Sequence, residues 1–129
     1  MILTLDRQNL FYQDDTFADK KAYFLDSLKG KSLTYKRYTK SPLHYGGGKT
    51  LAVGLILEYF PNDIKRLVSP FMGWGSVEIA SVLKLDLEVK AFDIFDILVN
   101  FWQVLIVDSE KLYGELLQLR PTVFFRGRF

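Results

Sequence analysis

Cysteine is absent from this chain, and histidine occurs once, at His44. A disulfide framework, a thiolate-held zinc or cluster and a histidine-rich metal site are therefore excluded. Proline is scarce: Pro42, Pro61, Pro70 and Pro121 are the four, and no two are adjacent. No uncharged apolar run approaches the ~18 residues that a membrane-crossing helix requires. The opening MILTLDRQNL has no basic stretch leading into an apolar run, so a secretory signal is not expected. These absences point to a soluble, reducing, cytoplasmic setting. Acid is also missing locally, with no Asp or Glu from Ser27 to Leu57.

What remains is a globular composition. The 129 residues are 49% hydrophobic and 25% charged, enough for one compact domain or part of one. The net charge of +2 conceals an uneven layout. Lys29, Lys31, Lys36, Arg37, Lys40 and Lys49 fall inside the acid-free stretch, and Arg120, Arg126 and Arg128 follow the last acid, Glu115. Between Val77 and Glu115 eight acids face three lysines. Basic ends around an acidic middle, with Tyr35, Tyr38 and Tyr45 interleaved among the basic residues, suggest contact with a polyanion. A solvated charged surface explains the same pattern more plainly.

Thr16 can cap a helix from about Phe17 to Lys29, with Gly30 as its stop. Leu51, Ala52, Leu55, Ile56, Tyr59 and Phe60 form one apolar helical stripe, ended by Pro61. Arg66–Ser69 reads as a strand, a helix starts near Ser76, and Leu87–Phe92 reads as a second strand. An apolar helix is expected from Asp96 to Val107, and Ser109 can cap another before Pro121. Helices alternating with strands predict an α/β fold with a parallel sheet and helices on its faces. Two strands are too few for a stable sheet, so the sheet is expected to be incomplete.

The segment Val68-Ser-Pro-Phe-Met-Gly-Trp-Gly75 is a strand, a glycine-rich turn and a helix start, and Asp93 ends the next strand. In a doubly wound site the glycines let a ligand approach the backbone. The helix N-terminus offers free N–H groups, and the strand-end carboxylate accepts ribose hydroxyls. Asp93 could also cap the helix over 96–107, and both roles can hold together. Gly46-Gly-Gly-Lys-Thr50 carries only the second half of a phosphate-loop signature, because Leu43 stands at its first glycine position. A nucleoside-triphosphate fragment is the weaker reading. Ser76 and Thr50 have no visible base and read as helix-start residues, and His44 has no carboxylate neighbour in sequence.

Ser41-Pro-Leu-His-Tyr-Gly-Gly-Gly-Lys49, Phe60-Pro61, Pro70-Phe-Met-Gly-Trp-Gly-Ser-Val77 and Ala91-Phe-Asp-Ile94, with Asn100 beyond, occur in order and at family-like spacing. Over residues 39–119 the chain resembles the Dam-like class of DNA adenine-N6 methyltransferases. The resemblance implies a Rossmann-like methyltransferase fold, S-adenosylmethionine as cofactor and double-stranded DNA as partner. It would place Tyr45, Gly47 and Lys49 in the N-terminal cofactor motif. Phe71, Gly73 and Gly75 would form the turn beneath the methionine portion, Asp93 would bind the ribose hydroxyls, and Ile94 would lie against the adenine. Lys36, Arg37 and Lys40 are the expected DNA-phosphate contacts.

Three departures accompany the match. Ser69 stands where the family often has an acid, and Trp74 where a small residue is usual. The family's acceptor motif, a polar residue followed by Pro-Pro and an aromatic, does not occur, so no catalytic residue is assigned. An adenine amine is a poor nucleophile, because its lone pair is delocalised into the ring. The enzyme must extrude the base and accept hydrogen bonds from that amine. The resulting expectation is a basic helical extension over 1–40, a cofactor-binding half-domain over 41–120 and a tail over 121–129. Such a chain is expected to be inactive alone and to form a homo-oligomer, or to pair with a chain carrying the catalytic half. The alternative is a non-catalytic DNA-binding or assembly subunit that kept the fold and lost the chemistry.

Overall fold

A computed structural model of the chain describes residues 3–5, 15–30, 34–43 and 48–118. The chain divides into two compact units, Met1–Ile94 and Phe95–Phe129.

The first unit is built on a three-stranded sheet of order β1-β3-β2. Strand β2 (Arg66–Ser69) runs parallel to β3 (Glu88–Ala91), with Leu67 opposite Val89. The expected parallel pair is thus present, but the sheet is mixed. Strand β1 (Leu3–Leu5) adds antiparallel to β3, Leu3 opposite Ala91, in a stretch with no legible strand pattern. Three residues are too few to display an alternation, so only pairing reveals this strand. Central β3 buries Val89 and Ala91 completely, while β2 keeps Val68 57% exposed.

Helix α1 (Phe17–Leu28) starts at a full capping box: the Thr16 hydroxyl accepts from the Asp19 N–H, and the Asp19 carboxylate accepts from the Thr16 N–H. Its buried residues Phe24, Leu25 and Leu28 recur at helical spacing. Lys21 is buried as well, and its ammonium donates to the Phe60 carbonyl and to Asn62 Oδ1 at 3.0 Å. These bonds tie α1 to the end of α2 (Val53–Glu58). Helices α1, α2 and α3 (Ser76–Leu85) pack on one another, and α3 packs on β2 and β3. A left-handed Asp86 (φ 57°) ends α3 and pairs with Lys20 at 3.1 Å.

Helix α2 is shorter than its sequence pattern, and its buried face is displaced from the expected stripe, of which Ala52, Ile56 and Phe60 are half-buried. Leu51, Leu55 and Tyr59 of the expected stripe are exposed, and Val53, Gly54 and Leu57 are buried instead. That face packs on α1 and α3, and at Gly54 it also meets Tyr35: a Cβ added there would stand 2.4 Å from Tyr35 Cγ, so only glycine admits that ring. Tyr38 is also core, 6% exposed and edge-on to Phe24 at 5.4 Å. The tyrosines expected beside the polyanion are therefore packing residues at 35 and 38, while Tyr45 lies outside the described residues.

In the second unit α4 (Asp96–Val107) packs with α5 (Ser109–Gln118). Trp102 is 4% exposed and stands edge-on to Phe101, whereas Phe95 is half exposed. The α5 cap is Asp108 rather than Ser109, its carboxylate accepting from the Lys111 N–H at 3.0 Å. The expected tail over 121–129 lies outside the described residues. Among them no helix is long and apolar enough to cross a membrane.

Candidate functional site

The parallel pairing of β2 and β3 continues beyond the strands and shapes the turn at their C-terminal ends. The Phe92 N–H donates to the Ser69 carbonyl and the Met72 N–H to the Phe92 carbonyl, both at 2.8 Å. The chain then folds back, the Gly75 N–H donating to the Met72 carbonyl at 3.0 Å, and Gly75 caps α3. Gly73 (φ 51°) and Gly75 (φ 67°) are both left-handed, the region L side chains avoid. A Cβ at Gly73 would meet nothing within 4 Å, so the backbone conformation, not crowding, calls for glycine there.

Asp93 closes the arrangement. Its Oδ2 accepts the Gly73 N–H at 2.8 Å, tying the tip of β3 to the turn after β2. Helix α4 instead takes Phe95 as its N-cap, so Asp93 is not that helix's cap. The turn is braced on a second side by Ser41, 3% exposed, whose hydroxyl donates to the Trp74 carbonyl at 2.6 Å. The same hydroxyl accepts from the Leu43 N–H. The basic segment is thereby anchored to the glycine turn.

A cleft of about 300 Å³ opens over this turn, lined by residues 67–78 together with Gly48, Lys49, Ile56 and Phe60. Of the residues expected at the site, Lys49, Phe71, Gly73 and Gly75 line it. Trp74, half-buried, lines it too. Asp93 reaches it through Gly73, and Ile94 is 94% exposed beyond the strand. Tyr45, Gly47 and His44 lie outside the described residues. Lys36, Arg37 and Lys40 are all exposed, and among the described residues none of them forms an ion pair.

Two polar residues line the cleft that the sequence offers only as a helix-start residue, Ser76, or does not single out, Glu78. Ser76 is 3% exposed, and its buried hydroxyl has no hydrogen-bond partner among the described residues. Glu78 is 6% exposed, and one of its carboxylate oxygens accepts the Ser69 hydroxyl. Burial pushes the Glu78 carboxyl above its ordinary range, against the opposing pull of the Ser69 and backbone hydrogen bonds. The signal for Glu78 was a lone acid in the apolar run Val77-Glu-Ile-Ala-Ser-Val82, which also fits a first-turn helix acid. No group of residues able to hold a metal ion occurs among the described residues.

Glycine turn, helix N-terminus and strand-tip carboxylate meet at the carboxyl ends of parallel strands, where open α/β sheets bind ligands. No curated protein and no solved structure matches the chain. The family model of D12 class N6 adenine-specific DNA methyltransferase matches residues 45–124, more than half the chain and all of this turn. The chain belongs to the D12 class N6 adenine-specific DNA methyltransferases.

Proposed function

We propose that this chain is the S-adenosylmethionine-binding part of a DNA adenine-N6 methyltransferase. The observation that carries the reading is the Gly73–Asp93 hydrogen bond, which holds a carboxylate at the strand tip beside a left-handed glycine turn. The cleft fits the group. Its volume lies at the small end of ligand pockets. Its wall holds a buried Ser76 hydroxyl with no hydrogen-bond partner among the described residues, and its two turn glycines allow close backbone approach.

When bound, S-adenosylmethionine supplies an electrophilic methyl group on its sulfonium. The chain's own residues bind and orient. Asp93, aimed by Gly73, accepts the ribose hydroxyls, and a carboxylate's two oxygens can take several such bonds at once. The α3 N-terminus and the Gly73–Gly75 backbone line the methionine end, and Lys49 stands at the cleft wall. Lys36, Arg37 and Lys40 hold duplex phosphates. The acceptor-side groups come from a partner chain carrying the catalytic half, and this chain alone transfers no methyl group. In support, the 129 residues contain no adjacent prolines, and β2 pairs on one side only among the described residues.

Calorimetry with S-adenosylmethionine tests the assignment. Asp93→Ala should weaken binding about 10- to 100-fold, the worth of a charge-assisted contact to two hydroxyls. Equal affinity of the two proteins would remove Asp93 from the site.

A further inference from the structure

Glu78 is the buried charge that the turn and the strand-tip carboxylate leave without a use. Buried carboxylates are ordinarily paired with a cation, because desolvation disfavours the ionised form. Glu78 is 6% exposed, yet it accepts a hydrogen bond from the neutral Ser69 hydroxyl, and among the described residues no lysine, arginine or histidine forms an ion pair with it. It is not sealed in the core: Glu78 and Ser69 both line the cleft, Ser69 as the last residue of β2 and Glu78 from the first turn of α3. A helix acid serving only the α3 N-terminus gains as much from a solvated position, without the cost of burial.

Resting on the cofactor reading above, we infer that Glu78, aimed by the Ser69 hydroxyl, receives the α-ammonium group of the methionine portion and thereby selects nucleosides that carry an amino-acid end. The ammonium is the cation that fits, because it donates hydrogen bonds to a carboxylate whereas a sulfonium donates none. The carboxylate end of the same zwitterion has a complement on the same cleft in the buried Ser76 hydroxyl at the first position of α3, which has no hydrogen-bond partner among the described residues. Glu78 is thus a binding and specificity residue; the chemistry of methyl transfer does not pass through it.

The test is calorimetry of the full chain, wild type and Glu78→Gln, with S-adenosylmethionine, S-adenosylhomocysteine and 5′-methylthioadenosine. The glutamine keeps the acceptor for Ser69 and loses the charge. Glu78→Gln should weaken the first two ligands alike, about 10- to 100-fold, and leave methylthioadenosine, which has no amino-acid end, unchanged. A loss confined to S-adenosylmethionine would assign Glu78 to the sulfonium, and an equal loss for all three would make it a purely structural residue; either overturns the inference. Unchanged binding of all three overturns it too while leaving the cofactor reading intact, whereas a wild-type chain that binds none of them overturns both. Should the variant fail to fold, wild type alone decides. An S-adenosylhomocysteine analogue lacking only the α-amino group should bind about 10- to 100-fold more weakly, and equal binding would refute the role.

Discussion

At the scale of single residues, local sequence and local environment diverge most at Glu78. A glutamate in the first turn of a helix is ordinary, but here the side chain is turned into a wall of the cleft. Its raised pKa gives a stability prediction with a definite sign. The folded state holds the Glu78 proton more tightly than the unfolded chain does. The stabilisation from the protonated form is therefore complete below the ordinary carboxylate pKa and lost as pH rises through the raised folded value. Glutamine mimics the protonated form without titrating. Thermal unfolding of Glu78→Gln and wild type should nearly coincide at acid pH, with the variant gaining steadily toward neutrality. A difference independent of pH would mean that Glu78 titrates as it does in the unfolded chain. Asp93 shows the converse: its place at the end of a strand, before a helix, admitted both a cap and a ligand carboxylate. The cap of α4 is Phe95, which removes that role from Asp93, and the Asp93 carboxylate accepts the Gly73 N–H instead.

At the scale of elements, capping and turn chemistry were legible, and the choice of helix face was not. Thr16, the strand Arg66–Ser69, the α3 start at Ser76 and the span Asp96–Val107 follow from short-range rules. For α2 two stripes competed, Leu51-Leu55-Tyr59 and Val53-Gly54-Leu57, and the more hydrophobic one lost. Tertiary packing on α1 and α3 decided it, with Tyr35 seated against Gly54 where only a glycine allows. Alanine in a helix interior is usually about 0.5–1 kcal/mol better than glycine. Gly54→Ala should nevertheless destabilise this chain by about 1–3 kcal/mol through overpacking. In a Tyr35→Ala background most of that penalty should vanish, which chemical denaturation in a double-mutant cycle measures. A stabilising Gly54→Ala would show that the ring yields freely.

At the scale of the whole chain, charge layout and sheet composition govern how it meets partners. The acid-free stretch from Ser27 to Leu57 presents Lys36, Arg37 and Lys40 on an exposed segment. Backbone bonds pin it on two sides, from the Lys36 N–H to the Leu28 carbonyl and from the Tyr38 N–H to the Thr50 carbonyl. Such fixed cations should meet duplex phosphates without sequence preference. Neutralising all three should flatten the slope of log affinity against log salt by about 2–3. An unchanged slope would return them to the solvated surface.

The amino-acid sequence by itself determined the glycine turn, the strand-end aspartate, most helix limits and the family, because each rests on neighbours within a few residues or on a motif read in order. Only the tertiary structure decided the antiparallel β1 strand beside β3, the buried face of α2, Ser41 beneath the turn and Glu78 in the cleft. Each of these depends on a partner distant in the chain. A three-residue strand, a serine or a lone glutamate carries no periodicity to announce such a partner, and the energy that places it comes from pairing and burial rather than local preference.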